Sequence, residues 1–106
     1  MNLLSFNQLR KTNVERCEAV FHPLKSWIPE QWGNATAGEV GELCNKLKKR
    51  FGRKETSTTL ESIADEAADV VCYLDLLTAS IGIDLGDAVR KKFNQISDEK
   101  QCDIKL

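Results

Sequence analysis

An all-α fold of four helices is predicted by three features of this 106-residue chain. Apolar residues recur at three-to-four spacing in long blocks. No stretch shows the period-two alternation of a half-buried strand. Each block is bracketed by residues that start or stop helices. The length fits a single domain spanning 1–106, near the lower end of what can bury a self-sufficient core.

The first helix is expected from Phe6 to Phe21, opened by Ser5 as N-cap and closed by Pro23, which disfavours helix in the residue before it. HPLKSWIP is a short connector with two prolines. The second helix runs from Glu30 to about Phe51, with Val40, Leu43, Leu47 and Phe51 on one stripe and Gly52 as its stop. After the polar loop GRKETS, Thr58-x-x-Glu61 reads as a capping box for the third helix, which continues to about Ile81 and ends at Gly82. Asp84 and Asp87 start a fourth helix from Leu85 to about Ser97, and the tail 98–106 carries little periodic signal. In the third helix eleven of fifteen residues from Ala67 to Ile81 are apolar, more than one stripe. Such a helix needs burial on most sides, so a bundle-like subunit assembling into a homodimer or tetramer is expected.

The formal net charge of -1 argues against a general nucleic-acid binder. Residues 1–54 hold ten Lys/Arg against five Asp/Glu, while 55–106 hold five against eleven, which suits halves that pack together or share a charged ligand. Cys17, Cys44, Cys72 and Cys102 are widely spaced beside a single His22, a poor match to a zinc site or disulfide framework. Reduced thiols in a cytosol are the plain reading, with Cys44 and Cys72 as small buried apolar residues. The N-terminus lacks the charged-then-apolar pattern of a signal peptide and no apolar run is long enough to span a membrane, so a cytoplasmic protein is expected.

The residues that speak of chemistry are two acidic pairs, Glu39-x-x-Glu42 and Glu66-x-x-Asp69. Each pair lies on one face of its helix, and the 23 residues between them allow a turn and an antiparallel return. Four carboxylates converging on one volume need a positive charge between them. Magnesium, a hard cation that takes oxygen ligands and arrives with substrate phosphates, is the natural occupant, with Mn²⁺ able to substitute. Gly38 and Gly41 beside the first pair each cost a helix about 1 kcal/mol relative to alanine, which points to close approach of another helix or a ligand.

AGEVGELCNKLKK followed by DEAADVVCYLDLL resembles the MazG-like branch of the all-α nucleoside triphosphate pyrophosphatases, whose mark is E-x-x-E, a variable spacer, then E-x-x-D. SWIPEQWGNAT upstream and VRKKFNQIS downstream extend the resemblance over most of residues 13–97. It implies hydrolysis of a nucleoside triphosphate, often a deoxynucleotide, to monophosphate and pyrophosphate. Glu39, Glu42, Glu66 and Asp69 would ligate Mg²⁺. Glu42 is the choice for a general base, and loss of Glu42 or Glu66 is expected to abolish hydrolysis. Lys92 and Asn94 match a downstream Lys/Asn motif that contacts phosphate or sugar, against the alternative of an exposed helix face.

Trp27 and Trp32 either stack a base or pack as a buried staple, and Arg16 is a candidate to reach a phosphate from a neighbouring subunit. His22 reads as an exposed turn residue. The basic run from Lys46 to Lys54 reads as a helix C-terminus complementing the macrodipole, with anion steering as a side effect. A phosphoribosyl-ATP pyrophosphohydrolase and a non-catalytic nucleotide-binding or oligomerisation module are the alternatives. A di-iron carboxylate bundle fails because it needs Glu-x-x-His pairs. The expected partners are the triphosphate and further copies of the chain, with neither nucleic acid nor membrane.

Overall fold

A computed structural model describes residues 3–106, so Met1 and Asn2, part of the segment read for a signal peptide, lie outside the description. The fold is all-α: four helices packed together, with no strand among the described residues. None of these helices is long and apolar enough to cross a membrane.

Helix α1 (Phe6–Arg16) starts where Ser5 accepts a hydrogen bond from the Gln8 amide at 3.0 Å. Its last turn, Cys17–Phe21, widens into a π-turn closed by the His22 amide donating to the Cys17 carbonyl at 3.0 Å. His22 is extended, as the residue before a proline must be. A 3₁₀ turn, Leu24–Ser26, leads to α2 (Pro29–Leu47), whose first position is a proline and whose Gln31 side chain accepts from the Ile28 amide. Helix α2 also ends in a π-turn, Lys48–Gly52. The left-handed backbone in the following loop falls on Lys54 rather than on Gly52.

Helix α3 (Leu60–Ser80) is capped by Thr59, whose hydroxyl accepts from the Ser62 amide at 3.1 Å, one residue later than the expected Thr58. Thr58 is committed to the preceding turn: its amide donates to Glu55 and its carbonyl accepts from Arg50. At the other end Gly82, with φ of 74°, closes a Schellman motif in which the amides of Ile83 and Gly82 donate to the carbonyls of Thr78 and Ala79. Helix α4 (Leu85–Glu99) is capped by Asp84 as expected, and runs two residues beyond Ser97. The tail folds back along it, with Ser97 donating to Ile104 and Asn94 paired to both backbone groups of Leu106.

Helices α2 and α3 form the principal hairpin; α1 lies on α3, and α4 meets α1 and α3 over smaller patches. The close approach of α4 is at Gly86, where a Cβ would sit 2.9 Å from Phe6 Cβ. Gly38 and Gly41 face open space within the chain, so no helix of this subunit accounts for them. The apolar core is small: Cys17, Leu24, Trp32 and Leu76 are buried, with Val14, Trp27, Tyr73, Leu77 and Ala79 packed around them. Val40, Leu47 and Phe51 of the expected α2 stripe are exposed, and Cys44 is exposed rather than buried. The stripe points away from α3 because the α2 residues that meet α3 are those around the acidic pair and Lys46.

The best-buried charge is one that hydropathy hides inside the apolar run of α3. Asp75 is 1% exposed. It accepts from Arg10 Nε at 3.0 Å and Asn13 Nδ2 at 3.1 Å, while Arg10 also donates to Thr78 and Asn13 to the Cys72 carbonyl. Removing one partner of a buried pair costs more than neutralising the group itself, because it strands a charge away from water. Arg10→Ala is therefore expected to destabilise by about 3 kcal/mol. Asp75→Asn, which keeps the shape and leaves a 27%-exposed Arg10 free to rehydrate, should cost about half that. Urea unfolding of both variants checks the order, and an Asp75→Asn loss exceeding that of Arg10→Ala contradicts it.

Candidate metal centre and aromatic cleft

The antiparallel α2–α3 hairpin brings carboxylates from both expected pairs together. One oxygen each from Glu39, Glu66 and Asp69 lies within 4.8 Å of the others. Glu42, one helical turn beyond Glu39, is exposed and outside this trio. A further turn along, Lys46 Nζ sits 2.9 Å from Glu66 Oε1 and laces the two helices together. Partial burial pushes the Glu39 carboxyl up, and the charges of Asp69, Glu66 and Glu42 push it further. The hydrogen bond to Glu66 pushes the Lys46 ammonium up, against a smaller loss of solvation.

Three carboxylates at this separation fit a hard divalent cation. Oxygens bound at about 2.1 Å to one Mg²⁺ lie about 3–4 Å apart, so a small side-chain rotation closes the set. The donor set is all oxygen, as Mg²⁺, Mn²⁺ and Ca²⁺ prefer. Acidic residues on a surface also occur with no ion, so the trio alone does not specify one.

Asp69 has a second surrounding. It lines a cleft of about 360 Å³ together with Arg16, His22, Trp27, Trp32 and Tyr73. Trp32 forms its fixed wall: the ring is 1% exposed and its Nε1 donates to the Leu24 carbonyl at 3.1 Å. The more open Trp27 stands 4.6 Å from it between ring centroids, and the His22 ring lies 4.4 Å from Trp27. Arg16 reaches the cleft from its own chain, with its guanidinium over Phe21, so no neighbouring subunit is needed to bring it there.

Searches against protein-family models, curated proteins and solved structures return no match to this chain. The candidate site therefore rests on its own geometry. Of the residues expected at it, Glu39, Glu66 and Asp69 converge, and Arg16, Trp27 and Trp32 share the cleft that Asp69 borders. Lys92 is exposed on α4, and the Asn94 side chain is taken up by the Leu106 backbone; within one subunit neither lines the cleft or the acidic cluster. His22 and Tyr73 line the cleft without having been expected there. Tyr73 is legible in hindsight, being four residues after Asp69 and so on the same helical face. His22 is placed by the π-turn, which the sequence does not announce.

Glu39 binds its proton more tightly folded than unfolded, so its contribution to stability is lost as pH rises from the ordinary carboxylate range through its raised folded value. In chelator at neutral pH, Glu39→Gln is accordingly expected to melt slightly higher than the parent. Magnesium at a hundred times its Kd should stabilise the parent by about 2.7 kcal/mol and the variant much less. Thermal melts across pH, with and without Mg²⁺, check both signs; a variant that melts lower in chelator contradicts the repulsion.

Proposed function

We propose that this chain is a metal-dependent nucleoside triphosphate pyrophosphohydrolase, releasing the monophosphate and pyrophosphate. The observation that carries the reading is the double membership of Asp69, which belongs to the acidic trio and also to the wall of the aromatic cleft. A ligand with a flat ring at one end and a polyphosphate at the other spans those two environments, and nucleotides are the abundant molecules of that shape. The chain's resemblance in E-x-x-E and E-x-x-D order and spacing supports the same reading.

In this proposal Glu39, Glu66 and Asp69 hold Mg²⁺, which supplies charge neutralisation for the triphosphate and the departing pyrophosphate. Glu42 is exposed, lies outside the trio and forms no ion pair among the described residues, so it is the carboxylate assigned to accept the proton of the attacking water. Glu66, held by Lys46, serves as a ligand rather than a base. Trp27, backed by the buried Trp32, borders the base, and Arg16 supplies positive charge at the mouth of the cleft.

The same reading includes self-association. The subunit exposes 7687 Å², against about 5,950 Å² expected for a folded 11.9 kDa monomer, an excess of about 1,700 Å². Its radius of gyration is 16.3 Å, against about 13 Å for a compact chain of this length. A second copy covering the exposed Val40, Leu47 and Phe51, with Gly38 and Gly41 allowing close approach, accounts for the surplus. The purified protein is expected to elute with the mass of a dimer or tetramer in light scattering; a monomer at micromolar concentration contradicts this part.

The deciding experiment is product analysis with a panel of deoxynucleoside triphosphates, with and without Mg²⁺. Magnesium-dependent monophosphate and pyrophosphate are expected. Asp69→Asn and Glu66→Gln should each lower kcat/KM by more than about a hundredfold, beyond what loss of an outer supporting residue costs. Glu42→Gln should lower kcat while leaving nucleotide binding intact. Tight nucleotide binding without turnover would point instead to a non-catalytic binding module.

A further inference from the structure

One face of α2 carries a heptad that nothing in the subunit uses. From Gly33, the residues Ala37, Val40, Cys44, Leu47 and Phe51 follow at alternating steps of four and three. That spacing makes a seam along which two helices can interlock side chains. Val40, Cys44 and Leu47 are exposed on it, as is Phe51 in the π-turn beyond. Glu39 and Lys46, which meet α3, lie on a different face. A Cβ added at Gly33 or Gly41 would meet nothing within 4 Å.

Size and charge both run in one direction along this seam. Its N-terminal half holds Gly33 and Ala37, with Gly41 at the margin, and its C-terminal half holds Leu47 and Phe51. Glu30 stands one step before Gly33, while the cations from Lys48 to Lys54 follow Leu47. A seam that is small and acidic at one end, large and basic at the other, complements an inverted copy of itself. In a parallel pair Phe51 would crowd Phe51, Gly33 would leave a void against Gly33, and like charges would face each other at both ends. Inverted, the two alternating heptad positions set Phe51 against Gly33, Leu47 against Ala37 and Cys44 against Val40. Gly41 of both copies then comes to the twofold axis, where the missing side chains let the helices approach.

We propose that the partner on this face is a second copy of the chain, bound through α2 in antiparallel register about a twofold axis. The proposal rests on the self-association in the reading above, and fixes its direction and its layers without reference to the ligand. The subunit's surplus surface of about 1,700 Å² is twice the roughly 800 Å² that one partner gives to an interface of standard size, so the surplus covers the contact. A twofold contact uses the same patch on both copies, and the opposed gradients of size and charge supply the self-complementarity it requires.

Light scattering of the full chain in reducing buffer reads the assembly. Leu47→Glu and Ala37→Lys each set a charge against the partner's seam, and each is expected to raise the dissociation constant by more than about thirtyfold and to halve the assembled mass. Both positions are exposed in the subunit, so circular dichroism should show the helices unchanged. Combined in one chain, the two charges face each other across the inverted pair, and the constant should return to within about tenfold of the parent's. Val40→Cys sits opposite the native Cys44 of the other copy, and the oxidant diamide should join the two as a disulfide. The parent's own two Cys44 thiols stand four residues, about 6 Å, apart along the axis in addition to the gap between helices, which is beyond the reach of a disulfide. Neither the parent through Cys44 nor Val40→Cys combined with Cys44→Ser should cross-link.

A Cys44-to-Cys44 disulfide in the parent, or a double variant that associates more weakly than both singles, overturns the antiparallel register. Assembly unchanged by Leu47→Glu overturns the pairing while leaving self-association in place. A monomeric parent, with the protein folded, overturns both.

Discussion

The carboxylate of Asp75 is the constraint on which the arrangement of the site depends. A charge buried in an apolar helix is tolerable only if donors are brought to it, and both side chains that donate to it come from α1. Arg10 and Asn13 are three residues apart and so share one face. Arg10 meets Asp75 and Thr78, whereas Asn13 meets Cys72 and Asp75, so the two helices run antiparallel in register. The next position on the α1 face is Arg16, and the next step back along α3 is Asp69. Both line the cleft. The buried pair fixes the rotation and register of α1, and the position of Arg16 at the candidate site follows from it.

What lies beyond Arg16 depends on the π-turn. An i→i−5 bond widens the helix and leaves one residue more than a regular turn would hold. Here it lets Cys17 bond to both sides of the His22 backbone and enter the core while the chain turns toward Pro23. The connector then spends its polar groups locally, on Ser26, Pro23 and the Glu18 carboxylate that accepts from the Leu24 amide. A short segment with two prolines can in this way carry two rings in tilted contact, those of His22 and Trp27, to the edge of a core closed by Trp32.

Much of the fold and part of the site could be read from residue order. Capping chemistry is local, so Ser5 and Asp84 were legible, and the spacing of the acidic pairs forecast four converging carboxylates, of which Glu39, Glu66 and Asp69 meet and Glu42 does not. The misplacement of the α3 cap came from two adjacent threonines, which only the turn containing Glu55 and Arg50 distinguishes. Periodicity recorded Val40, Leu47 and Phe51 as an apolar stripe without saying what covers it. Asp75 was invisible because a hydropathy count treats one acid among apolar neighbours as noise. Its partners lie 62 and 65 residues away, beyond any local pattern. Glu42 differs from Glu39 through the crossing of two helices, which spacing along one of them cannot express.

The acidic cluster also bears on stability. The hairpin that does most of the packing must hold Glu39, Glu66 and Asp69 against their mutual repulsion, and the raised proton affinity of Glu39 reflects first its partial burial and then the charges of these acidic neighbours. Lys46 offsets part of it from the same α2 helix, reaching Glu66 across the hairpin. A single ammonium gives its short contact to one carboxylate, whereas a divalent cation accepts oxygens from all three at once. With only four apolar residues buried among the described ones, the subunit has little hydrophobic stabilisation to set against this repulsion. An ion at the cluster and a second subunit over the exposed α2 stripe would thus act on the same hairpin. Each would relieve a different deficit, one of charge and the other of buried area, and the affinity of either should rise when the other is present.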